Sequence, residues 1–131
     1  MKKFFYILCL MPALLLTAKQ APAQENIPPE ITLSLKAGNA IELAKHFNET
    51  LEVVILDKED YYTKVVAERI MKDFFRQYPV KDFDILHQAG KNGARYAIGT
   101  LKTEKGNFRV YFLIKVVEQK PLIHQLRIKK Q

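Results

Sequence analysis

Residues 94–128 read ARYAIGTLKTEKGNFRVYFLIKVVEQKPLIHQLRI. Three runs in this stretch, Ala94–Thr103, Phe108–Val117 and Leu122–Ile128, are rich in β-branched and aromatic residues, the types that pack well on a pleated surface. Lys105-Gly106 separates the first two, and Glu118-Gln119-Lys120-Pro121 the last two. A fourth run, Asp82–Gln88, precedes them across Gly90-Lys91-Asn92-Gly93. Breaks this short allow only antiparallel neighbours, so the C-terminal half is expected to be a four-stranded meander.

Upstream the period changes. Val66, Ile70 and Phe74, with Ala67 and Phe75, recur at helical spacing, while Lys64, Glu68, Lys72 and Arg76 fall off that face. This predicts an amphipathic helix over 63–78, opened by Thr63 and stopped by Pro79. Ile31–Lys36 is a short helix with Pro29 at its start and Gly38 as its C-cap signal. Asn39 caps a second helix over Ala40–Phe47. Leu51–Leu56 is a β-branched strand and Asp57–Asp60 a charged turn. The order helix, helix, strand, long helix, meander is that of an α+β domain, with helices packed on one face of a strongly curved antiparallel sheet.

The first 23 residues stand apart. Met1-Lys2-Lys3 is basic, Phe4–Leu16 is apolar, and Ala21-Pro22-Ala23 has the small-x-small form accepted by signal peptidase. This is the pattern of a secretory signal peptide. Its apolar run is too short to span a bilayer, which takes about 20 residues. Cys9 lies inside that run behind Leu8, so it does not fit a lipoprotein site. The expectation is an exported protein, periplasmic or secreted, with a single domain over 24–131 and no stable membrane insertion after cleavage. Cys9 is the only cysteine, so a hydrophobic core rather than disulfides must hold the mature chain.

The whole chain of 131 residues carries a net charge of +7. Loss of the signal leaves 18 basic and 14 acidic residues, unevenly placed. Residues 24–80 hold seven basic and ten acidic groups, residues 81–131 eleven and four. Export and the lack of any nucleic-acid motif argue against a nucleic-acid partner. No nucleophile elbow, phosphate loop or paired-carboxylate motif is present, so no catalytic residue and no cofactor are assigned. His46, His87 and His124 lack ligand-type spacing, so no metal is assigned either.

Loop lengths give a register. A two-residue loop at Lys105-Gly106 pairs Leu101 with Val110, Gly99 with Phe112 and Ala97 with Ile114. A three-residue loop at Glu118-Gln119-Lys120 pairs Leu122 with Val116, His124 with Ile114 and Leu126 with Phe112. The inner face then carries Phe83, Ile85 and His87 as well, and three polar groups, His87, Arg95 and His124, collect at one end of it. These are the candidate pocket residues, suited to a small hydrophobic or anionic ligand. The outer face carries Tyr96, Ile98, Leu113 and Ile123, too apolar for a solvated sheet, and is the candidate homodimer interface. A basic surface for acidic polymers or headgroups is the alternative use of that face. The expected function is a non-enzymatic binding module that uses the cavity between helices and curved sheet for a small ligand or the sheet surface for a protein partner. A lyase or isomerase with a cavity histidine as general base is the competing function.

Several segments resemble the domain-of-unknown-function 4783 family of small exported bacterial proteins. They include Ile27-Pro28-Pro29-Glu30-Ile31, Lys36-Ala37-Gly38-Asn39-Ala40, Val54-Ile55-Leu56-Asp57-Lys58-Glu59-Asp60, Tyr96-Ala97-Ile98-Gly99-Thr100-Leu101, Phe108-Arg109-Val110-Tyr111-Phe112-Leu113 and Leu122-Ile123-His124-Gln125-Leu126-Arg127-Ile128. The resemblance implies a cone-shaped fold like that of nuclear transport factor 2, also called cystatin-like, with a cavity between helices and bent sheet. It implies no activity.

Overall fold

The computed structural model describes residues 27–131. The signal segment and the expected mature terminus near Gln24 lie outside the described residues. Three helices and six strands run in the order α1 (Pro29–Ala37), α2 (Ala40–Ala44), β1 (Phe47–Ile55), β2 (Lys58–Thr63), α3 (Lys64–Gln77), β3 (Val80–Lys91), β4 (Ala94–Thr103), β5 (Gly106–Val117) and β6 (Lys120–Lys130). The strands form one sheet in the order β2-β1-β6-β5-β4-β3. All neighbours are antiparallel except β1 and β6, which run parallel. The α+β architecture and the meander agree with the sequence reading.

The helix ends follow from local chemistry. Pro29 takes the first position of α1, where its missing N–H costs nothing. Gly38 ends that helix at φ 64°, donating its N–H to the Leu35 carbonyl. The Asn39 side chain accepts from the Glu42 N–H and the Thr63 hydroxyl from the Val66 N–H. The second helix is shorter than expected, because Phe47 already belongs to β1. The expected charged turn at Asp57–Asp60 is instead mostly β2; the turn itself is the two residues Leu56-Asp57.

The core lies between the helices and the inner face of the sheet. Ile31, Leu35, Leu43, Ala67, Met71, Phe74 and Phe75 meet Leu51, Val53, Phe83, Leu101, Phe108, Val110, Phe112 and Leu126 there. At one end Phe74, Tyr78 and Phe108 form an aromatic triangle, with ring centroids 4.9–5.3 Å apart. Gly99 is needed for close approach: a Cβ there would sit 2.6 Å from Phe83 Cζ and 2.5 Å from the Asp84 carbonyl oxygen.

The register differs from expectation in three places, and two of them, both bulges, decide which side chains face the core. The β4–β5 turn is Glu104-Lys105, so Leu101 pairs with Phe108, Gly99 with Val110, Ala97 with Phe112 and Arg95 with Ile114. This slips the expected pairing by two residues, and each side chain keeps its face. The β5–β6 turn is one residue shorter than expected, pairing Val117 with Lys120. A bulge at His124 restores the register beyond it, so Phe112 pairs with Leu126 as expected, but Ile114 pairs with Ile123 and Lys115 with Leu122. A second bulge at Leu86, between the pairs Ile85–Gly99 and His87–Ile98, inverts the faces of β3 beyond that point.

Candidate functional site

A cavity of about 480 Å³ opens between α3 and the β1–β2 hairpin. Val53 and Ile55 on β1, Leu56 in the turn, and Ile70 and Phe74 on α3 give it apolar walls. Tyr62 and Tyr78 add phenols, and Asp57, Lys58, Asp73 and Gln77 supply polar groups. Asp73 is engaged by Arg76 one helical turn on, at 2.7 Å.

The geometry of the hairpin explains this wall. Ile55 pairs with Lys58, leaving Leu56-Asp57 as a two-residue loop. Such loops favour glycine or asparagine where φ is positive, yet Leu56 stands here at φ 58°. Its N–H donates to the Ile128 carbonyl at 2.9 Å, tying the loop to the end of β6, and its side chain packs on the core beside Ile55. A branched aliphatic residue held in the left-handed region costs on the order of 1–3 kcal/mol. The apolar contact it brings to the cavity is what the strained position supplies.

None of the residues expected to line a pocket lies here. The bulge at Leu86 carries His87 to the outer face, where its Nε2 is 3.1 Å from the Tyr96 hydroxyl. Arg95 keeps the inner-facing register opposite Ile114, on β4, far across the sheet from β1 and β2. His124 is the bulged residue of β6 and donates from Nδ1 to the Leu122 carbonyl at 3.0 Å. The three residues do not converge, and two of the displacements come from single-residue bulges that period-2 reasoning passes over. No histidine lines this cavity. The third histidine, His46, precedes β1; burial lowers its pKa, against the opposing pull of Glu30 and Glu42. The residues that do line the cavity carry little sequence signal, because the start of β2 reads as a charged turn. The signal available was the paired tyrosines Tyr61-Tyr62, whose alternation sends Tyr62 inward and Tyr61 outward.

The outer face needs one correction. Tyr96, Ile98 and Leu113 stand there half-buried, but Ile123 is fully buried in the core, because the His124 bulge inverts β6 before it. Beside them Glu52, only 8% exposed, accepts from Gln125 Nε2 at 2.6 Å. Among the described residues no group of three His, Cys, Asp or Glu side chains is placed to hold a metal, and no helix is long and apolar enough to cross a membrane.

Several solved structures share this layout. A DUF4783 family protein from Bacteroides ovatus is 34% identical, with a TM-score of 0.78 over 80% of this chain and 96% of that one. Its counterpart from Bacteroides uniformis is 35% identical, with a TM-score of 0.78 over 81% and 98%. An NTF2-like protein of unknown function from Shewanella baltica, at 14% identity and a TM-score of 0.62 over 79% and 86%, shares the fold alone. No curated protein matches the sequence. The family model for the domain of unknown function DUF4783 matches residues 28–129, and with three helices on a curled six-stranded sheet of the NTF2-like, cystatin-like kind, the chain belongs to that family.

Proposed function

We propose that the protein is an exported binding module that takes a small, mainly apolar ligand between α3 and the β1–β2 hairpin. The observation that carries this reading is the cavity of about 480 Å³ with its aliphatic and aromatic walls. Ligand sites generally fall in the range of about 300–1,000 Å³, apolar with a few convergent polar groups. Tyr62, Tyr78 and Gln77 offer hydrogen bonds to one end of such a molecule, while Val53, Ile55, Leu56, Ile70 and Phe74 receive its body. Leu56, held at positive φ, supports the reading, since strained backbone clusters at active sites, ligand clamps and switch regions. Export follows from the signal-like residues 1–23.

N-phenyl-1-naphthylamine, a neutral apolar fluorophore, tests this directly. Its emission should rise with the protein and saturate. Ile70→Trp, which fills the cavity from α3, should abolish the rise and leave the circular dichroism spectrum unchanged. Equal emission with both proteins would place the dye elsewhere and defeat the proposal. Competition by decanoate or by decylamine then reads the charge preferred at the polar end.

A further inference from the structure

The outer face of the sheet has a chemistry of its own, separate from the cavity. Its centre is Tyr96 and Ile98 on β4 with Tyr111 and Leu113 on β5, paired across the strands and half-buried. Around this centre the outward positions of β4, β5 and β6 place Lys102, Arg109, Lys115, Arg127 and Lys129. No carboxylate occupies an outward position on those three strands. The acidic groups near this face are Glu52, Glu59, Asp82 and Asp84 on the flanking strands and Glu104 and Glu118 in the bounding turns; Glu52 is engaged by Gln125, and Asp82 by Lys36 at 3.5 Å. Arg127 sits opposite Val54 and Tyr111, and its Nε is buried with no acceptor among the described residues.

We infer that this face docks an acidic polypeptide segment in which carboxylates alternate with apolar side chains. An apolar, aromatic centre ringed by cations matches such a segment group for group: Tyr and Arg are enriched in protein interfaces, and opposite potentials guide the encounter. Other occupants fit less well. A second copy of the chain, stacked sheet to sheet about a two-fold axis through the tyrosines, would bring the same cations against one another. A sugar ring needs an open aromatic face. Tyr96 is flanked by His87 at 5.7 Å and by the stacked Tyr111 ring at 5.8 Å, so its sides are taken.

A fluorescein-labelled peptide of repeated Glu-Glu-Tyr-Leu blocks tests the inference by anisotropy, using protein purified after export. The peptide should bind, and its Lys-for-Glu analogue should not. Arg109→Glu combined with Lys129→Glu should weaken binding by roughly tenfold or more. Lys64→Glu combined with Lys72→Glu, on α3, should leave it unchanged. In parallel, amide shifts in nitrogen-15 spectra should move at Tyr96, Ile98, Tyr111 and Leu113. Each of the following overturns the proposal: no binding, binding indifferent to the β5–β6 charge reversal, stronger binding to polygalacturonate or to vesicles containing phosphatidylglycerol, or a wild type that sediments as a dimer dissociated by Leu113→Glu.

Discussion

Single residues decide where this fold is tight, strained or titratable. Gly99 lies under the Phe83 ring, so Gly99→Ala should cost about 1–3 kcal/mol through overpacking, read as a lower urea midpoint with unchanged slope. Leu56 presents the opposite balance. Leu56→Gly releases the strain of its positive φ but removes a cavity wall. Stability should therefore change by less than about 1 kcal/mol, while binding of the naphthylamine dye falls clearly; a loss of stability with binding intact would contradict that assignment. His46 titrates with a defined sign. Burial holds its pKa below the ordinary 6.5, so the unfolded chain takes up a proton before the folded one does. Its contribution is fully present above about pH 6.5 and is lost as pH falls through that value toward the folded pKa. His46→Gln should flatten the stability–pH curve just below pH 6.5, measured by thermal melts across that window.

Elements transmit these local choices to the whole. The α3 helix is held to the sheet by its buried stripe, Ala67, Met71, Phe74 and Phe75, and by the triangle of Phe74, Tyr78 and Phe108. Phe108→Ala should cost about 3–5 kcal/mol and loosen the Tyr78 side of the cavity, so melting temperature and dye affinity should fall together. Most of this was readable from the sequence. The 3.6-residue period gave α3, the turn residues gave the meander, and the face of most β4 and β5 side chains survived a two-residue slip because parity is what burial enforces. The features that escaped are those without a periodic signature. Strand β2 is an edge strand whose residues are nearly all exposed, so no apolar alternation marks it. The bulges at Leu86 and His124 each insert one residue and reverse every assignment on one side of them. That alone puts His87 on the outer face and Ile123 in the core, against the period-2 expectation, and makes His124 the bulged residue. The cavity lacks a sequence signature for a related reason, since its floor is the hairpin that includes β2.

At the scale of the molecule the sheet order carries a consequence for the C-terminus. The β1–β2 hairpin and the β3–β4–β5 meander never touch as strands; β6 lies between them and is hydrogen-bonded to both. Its parallel pairing with β1 spans most of the domain's sequence, and the Ile123 N–H donates to the His46 carbonyl at 2.7 Å where β1 begins. Three of its side chains, Ile123, Leu126 and Ile128, are fully buried. At about 1.5–3 kcal/mol each, their burial is comparable with the whole stability of a small domain, about 5–15 kcal/mol. Ending the chain at Gln119 would remove that strand and expose two new sheet edges, on β1 and β5. The truncated protein should therefore lose its folded structure throughout, including α1–α3, rather than retain a shorter meander. Dispersed amide resonances from β3–β5 in such a truncation would show that the two halves of the sheet stand independently and would refute this role for β6.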